Sequence, residues 1–253
     1  MFNRISIQKL VVISSLLSAT LLLSSCKECL LYKAYDDCFD GRPPVIAPPE
    51  KEIKLIPLPV KLPAAIKSGM SGPHFNTIPN MEKPSNKPRP IFYVPKGTTN
   101  VALGKPVTAT DMNPTGGPLS KIVDGDMRGK DGSWIELGLF EQHVTVDLGA
   151  RHEIYAILIW HYFKYARVYY DVVVQTAGDP DFTTNVTTLF NNDIDNTHGL
   201  GVGTDKNYVE KAEGKLIDTK GVKGRYVRFY STGNSGDEMN HYIEVAVFGK
   251  PVK

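Results

Sequence analysis

The sequence predicts an all-β protein: an antiparallel β-sandwich over residues 100–251, preceded by a signal peptide and a proline-rich tether. Short apolar stretches after Asn100 alternate with the period of strands. Gly, Asn and Asp clusters separate them, with no strong helical stretch between. Prolines crowd between Pro43 and Pro118, whereas most glycines lie after Gly97, so a linker precedes a domain. The expected division is 1–25 signal peptide, 26–99 tether or strap, and 100–251 sandwich. With 42% hydrophobic residues in 253, the chain has enough apolar surface for one domain with a real core.

Residues 1–9 carry Arg4 and Lys9, and residues 10–23 are almost wholly apolar or small. That is the charged and hydrophobic order of an export signal, and the run is too short to span a bilayer comfortably. The following Leu23-Ser24-Ser25-Cys26 resembles the bacterial lipobox, in which the cysteine becomes a lipidated N-terminus. The resemblance implies Cys26 as the lipidation site and an exported, envelope-anchored protein. Because Lys27 follows rather than an aspartate, it implies the outer membrane in a Gram-negative organism. Cys29 and Cys38 either close a small disulfide loop or remain free thiols, and their spacing does not separate the two. Of 29 basic and 27 acidic residues, loss of Arg4 and Lys9 with the signal leaves 27 of each. A neutral mature chain is not built to coat nucleic acid or an anionic bilayer, and membrane contact is expected through the lipid anchor alone.

In the tether, Pro43-Pro44, Pro48-Pro49, Pro57, Pro59, Pro88 and Pro90 favour extended polyproline segments. Ile53, Leu55, Ile56, Leu58, Val60 and Leu62 are too many for a purely solvated linker. Their number predicts that part of it lies against the domain as a strap.

Within the domain, Val144, Val146 and Leu148 alternate with polar residues and end at Gly149, which reads as a half-buried strand closed by a turn. Residues 154–160 are continuously apolar, as in a central strand buried on both faces. Strands are expected over 169–175, 187–190, 215–218, 225–230 and 242–248. Val227 and Phe229 face the core, with Tyr226 and Arg228 outward. In the last strand Glu244 is expected opposite Ile243, Val245 and Val247.

Residues 121–134, KIVDGDMRGKDGSW, break from an apolar run into Asp124-Gly125-Asp126 and close on Ser133-Trp134. Alternating Asp and Gly make a tight loop whose oxygens converge on one point, the need of a hard cation such as calcium. A second cluster, residues 190–199, is dense in Asn and Asp. It lacks the glycine and glutamate of an EF-hand, so it reads as a turn.

Five motifs in order, 100–109, 123–126, 144–149, 225–228 and 243–249, resemble the discoidin or coagulation factor type C domain. This galactose-binding-like fold includes the family-32 carbohydrate-binding modules and the fucose-binding lectins. The resemblance covers the last 150 residues or so and none of the tether. It implies an eight-stranded jelly-roll sandwich whose two ends nearly meet. It also implies a structural calcium site formed by the carbonyls of Lys121, Asp126 and Ile243, the side chains of Asp124 and Glu244, and Ser133. It further implies a sugar site of basic and aromatic side chains near the end of the central strand. On residues 160–167 these are His161 and Arg167 as hydrogen-bond donors and Tyr162 or Tyr165 as the stacking platform.

No Gly-x-Ser-x-Gly elbow, phosphate loop or His-Glu-x-x-His is present, and the domain has no cysteine nucleophile, so catalysis is not expected. The expected function is a non-catalytic binding module for carbohydrate. The alternatives are an adhesive envelope protein that binds another protein and an accessory part of a glycan-degrading system.

Overall fold

The computed structural model describes residues 53–63, 75, 77–83, 85 and 87–252. The expected signal peptide, Cys26, Cys29 and Cys38 lie outside the described residues. Among those described, no helix is long and apolar enough to cross a membrane. The domain is all-β and antiparallel: β3 (Thr99–Asn100), β4 (Val107–Ala109), β5 (Ile135–Leu139), β6 (Glu141–His161), β7 (Val173–Ala177), β8 (Thr187–Asn191), β9 (Lys215–Thr232) and β10 (Met239–Pro251). They run in the order β3-β10-β6-β9-β7-β8, with β4 on β6 and β5 on β10. A short 3-10 helix, Leu119–Val123, leads into the loop that the sequence singles out.

The long strands explain how this sheet becomes a jelly-roll-like sandwich. The two expected strands 144–148 and 154–160 are one strand, β6, whose register shifts between Asp147 and His152. Gly149 takes a left-handed φ of 81° at the shift, and its N–H donates to Asp147 Oδ1 at 2.8 Å. The chain therefore bends there without leaving the sheet. The first half of β6 pairs with β4 and the second with β10. Likewise β9 fuses the expected strands 215–218 and 225–230. The expected strand 169–175 begins only at Val173, and Tyr169 instead bridges to Asn234.

Val144, Val146, Ile157, Ile159, Val227, Phe229, Val245 and Val247 fill the space inside the sandwich, all wholly buried. In β10 the expected alternation fails at one place. The register shifts between Tyr242 and Glu244, and this bulge turns Ile243 away from Val245 and Val247 into a second apolar cluster.

That second cluster is the outer face of the same strands: Ala156, Leu158 and Trp160 on β6 with Ala246 and Phe248 on β10. A half-exposed sheet would leave it to water, but here the strap covers it. Leu55–Pro57 (β1) and Tyr93–Pro95 (β2) pair as an antiparallel ribbon, Ile56 opposite Val94. Val94 is buried, and Ile56, Leu58, Val60 and Phe92 pack beside it. Polar ties fix the remainder: Arg89 Nη1 donates to the carbonyls of Glu213 and Gly214 at 3.1 and 3.0 Å, and Asn207 Nδ2 donates to that of Pro79 at 2.9 Å. Residues 53–252 therefore form one compact unit, and the strap is part of its core.

Val94→Asp in the full chain should therefore cost about 3 kcal/mol or more, since it buries an unpaired charge. Leu55→Asp, on the outward side of the ribbon, should stay within about 0.5 kcal/mol. Chemical denaturation of both variants checks this, and equal losses would place the ribbon away from the core.

Candidate functional site

The loop after the 3-10 helix is held at its turn and at its base. Ile122 and Val123 are wholly buried, so the chain enters the loop from a fixed point. Asp124 Oδ1 accepts the Asp126 N–H at 2.7 Å, and Gly125 takes a left-handed φ of 86°. That conformation aims the Gly125 N–H at Glu244 Oε2, 3.1 Å away on β10. Glu244 is wholly buried and its Oε1 has no hydrogen-bond partner. Burial pushes its carboxyl up to about 9, against the Gly125 hydrogen bond and with the nearby Asp124 charge adding to the rise. A buried carboxyl with one oxygen free, beside a second carboxylate on a tight loop, suits a hard cation, which would replace the proton.

The other residues expected at this site are placed as follows. Both Asp126 carboxylate oxygens are taken by Arg128, at 2.7 Å from Nε and 2.8 Å from Nη2, leaving only its carbonyl for the expected role. Ser133 is buried and its hydroxyl donates to the Lys130 carbonyl at 2.7 Å. Lys121 Nζ donates to the carbonyls of Gly116 and Gly132, drawing the two sides of the loop together. Ile243 lies against the loop at Gly129, where a Cβ would come within 3.1 Å of its Cδ1.

Beside the loop, the end of β6 presents aromatic rings. Trp134 and Tyr162 lie 4.9 Å apart, and Tyr162 and Tyr165 5.9 Å apart. The Arg167 guanidinium sits 5.4 Å from the Tyr162 ring and binds Asp237 Oδ2 at 2.7 Å and Asn234 Oδ1 at 3.3 Å. Lys164 bonds Asp131 at 2.7 Å and lies 5.5 Å from the Trp134 ring. Tyr165 is 66% exposed, so one flat face is free. Trp134 and Asp131 belong to the loop while Tyr162, Lys164 and Tyr165 follow β6, so the loop forms one wall of the aromatic face.

His161 is not on that face. It is wholly buried, stacked on Tyr169 at 4.3 Å and tilted against Tyr242 at 4.7 Å, with Nδ1 2.7 Å from Glu210 Oε1. The expectation that it donates to a sugar hydroxyl is corrected: nothing outside the protein reaches it. Strand period explains this, because Ile157, Ile159 and His161 occupy successive inward positions. Tyr162 is also nearly covered, leaving Tyr165 as the free platform.

In the second polar cluster, buried Asp193 accepts the Thr197 and His198 N–H groups, each at 2.9 Å, and so builds the expected turn. Oxygens of Asp171, Asp193 and Asp195 lie within 4.8 Å of one another, so these three could coordinate a divalent ion. Burial, followed by the charges of Asp193 and Asp195, pushes the Asp171 carboxyl up to about 6.

No family model and no curated protein matches the chain. Solved structures do, at low identity. The chitosan-binding module 1 of a chitosanase/glucanase from Paenibacillus sp. IK-5 is 19% identical, with 60% of this chain and 99% of that one covered and a TM-score of 0.44. A fucose binding module from Streptococcus pneumoniae is 17% identical, with 61% and 99% covered and a TM-score of 0.41. A family 89 glycoside hydrolase from Clostridium perfringens is 21% identical, with 60% of this chain but 15% of that one covered and a TM-score of 0.44.

The buried imidazole–carboxylate pair generates its own prediction. His161→Ala leaves Glu210 buried without its partner and should cost about 3–5 kcal/mol. The loss should appear as a lowered melting temperature with or without any ligand.

Proposed function

We propose that the chain is a non-catalytic glycan-binding module, exported and held in the cell envelope by a lipid on Cys26, with a calcium ion bracing its binding face. The observation that carries the glycan reading is the exposed ring of Tyr165 beside Trp134, Tyr162, Lys164 and Arg167. A flat apolar ring stacks on the C–H face of a pyranose, and cationic side chains at its rim donate to hydroxyls. Arg167 is pre-oriented by Asp237 and Asn234, so little rotamer freedom is lost on binding. The site is shallow, so affinity is expected on the order of 0.1 to 1 mM. A glycan array identifies the ligand, and titration of Tyr165→Ala then tests the face. At least a tenfold loss at an unchanged melting temperature is the expected result, and wild-type binding by this variant would move the site elsewhere.

In the calcium reading, Asp124 and Glu244 supply the carboxylates, and the carbonyls of Lys121, Asp126 and Ile243 together with Ser133 are assigned the remaining positions by the family resemblance. Bound calcium would supply charge neutralisation and rigidity. Asp131 and Trp134, on the loop it pins, would be held beside Tyr162 and Lys164.

Calcium at a hundredfold excess over its dissociation constant should stabilise the protein by about 2.7 kcal/mol. Glu244→Gln should abolish the shift. Without a divalent ion, stability should fall as pH rises from the ordinary glutamate range toward 9, because folded Glu244 keeps a proton that the unfolded chain has released. Calcium should remove that slope. Superimposable melts with calcium and with chelator would refute the ion site.

A further inference from the structure

Each cation that follows β6 onto the aromatic face already meets a carboxylate. Lys164 Nζ lies 2.7 Å from Asp131 Oδ1, and Arg167 Nη1 lies 2.7 Å from Asp237 Oδ2. Behind them, buried His241 meets Glu136 at 2.9 Å. On the loop, Arg128 is taken by Asp126, and the Lys130 charge acts on the same carboxylate. Burial raises the Tyr162 hydroxyl above its usual range, and Lys164, Tyr165, Arg167 and Asp131 all act on it, so these four stand around one ring. The face carries charges in balanced pairs. The two pairs nearest the rings differ in freedom. Arg167 is only 16% exposed and also reaches Asn234 Oδ1, so its geometry is fixed. Asp131 is 93% exposed, and among the described residues only Lys164 bonds its carboxylate, through Oδ1. The Lys164 ammonium keeps two further donors and lies 5.5 Å from the Trp134 ring. A donor and an acceptor therefore sit side by side at the edge of the rings.

We propose that Lys164 and Asp131 act together as a clamp for adjacent sugar hydroxyls, and that Asp131 makes the face select neutral glycans over acidic ones. The proposal rests on the glycan reading of this face and names the class of glycan. Each ring hydroxyl donates once and accepts as well, so two neighbouring hydroxyls match an ammonium beside a carboxylate, with both bonds charge-assisted. An exposed ion pair is weak by itself, so the pair can exchange water for hydroxyls without leaving a strong partner. A uronate carboxylate or a sulfate in the same place finds Lys164 and Arg167 already paired and meets the like charge of Asp131. Asp131 belongs to the loop and Lys164 to the end of β6, so the clamp exists only where the loop is held against the strand.

The test is a glycan array that pairs neutral hexose glycans with their uronate and sulfated counterparts, read at low salt, where charge effects are least screened. The wild-type chain should bind neutral members and reject the acidic counterpart of each. Asp131→Asn keeps the side-chain shape, removes the negative charge and leaves Lys164 unpaired. It should bind the neutral ligand at least about tenfold less and gain binding to the acidic counterpart that high salt reverses. Lys164→Gln should lose the neutral ligand without that gain. Both variants should keep the wild-type melting temperature, because the pair is exposed. Equal wild-type binding of neutral and acidic counterparts overturns the proposal and leaves the glycan reading standing. So does an Asp131→Asn variant unchanged on both, when Tyr165→Ala has lost the ligand. An array blank for every glycan with folded protein overturns the glycan reading and this proposal with it.

Discussion

The structure depends on strands β6 and β10 being apolar on both faces. A sandwich gives such strands only one interior, so the second face must be covered by something else or left to water. At about 25 cal/mol per Å² of apolar surface, exposing Leu158, Trp160 and Phe248 would be a large loss for a domain of this size. Ile56, Val94, Leu58 and Phe92 supply the cover. This is why prolines that read as a tether end in a docked ribbon: their stiffness lowers the entropy lost when the strap is laid down.

The same cover fixes the neighbourhood of the aromatic face. Trp160 donates its indole N–H to the Ala212 carbonyl at 3.0 Å, and Arg89 from the strap holds the next two carbonyls, those of Glu213 and Gly214. One residue on, His161 is locked between Tyr169 and Tyr242, and Tyr162 to Arg167 leave the sheet from that rigid point. Rings carried on a stiff strand end need little reorganisation to meet a ligand, which matters most where few groups are buried on binding. His161 thus acts on the face from behind, by holding the backbone that presents it.

Much of the fold was legible because strand period is a local property. The double-sided burial of residues 154–160 and the inward Val227 and Phe229 were both readable. What escaped was non-local. The bulge at Tyr242 to Glu244 flips Ile243 with no residue type to announce it, since bulges are set by the partner strand. His161 was readable in principle, because it continues the Ile157–Ile159 alternation, but its basic and aromatic neighbours favoured a surface role. The pairing of Asp131 with Lys164 and the approach of Trp134 to Tyr162 join segments about thirty residues apart, so no spacing rule could find them.

Reach follows from the docked strap. Had residues 26–99 all been free, the module could sample a wide volume around an anchor. Ile56, Leu58, Val60, Phe92 and Val94 lie against the domain, and between the two arms Pro79, Asn80, Met81 and Glu82 are tied to Asn207, Asp205 and Lys215. A shorter connection lowers the distance a single copy can search but raises the effective concentration of neighbouring modules on the same surface. Were the proposed glycan face and lipid anchor both to operate, that exchange would favour binding to repeating polymers over single sugars. Many copies so anchored would engage one chain at once, where one long-tethered copy would release it.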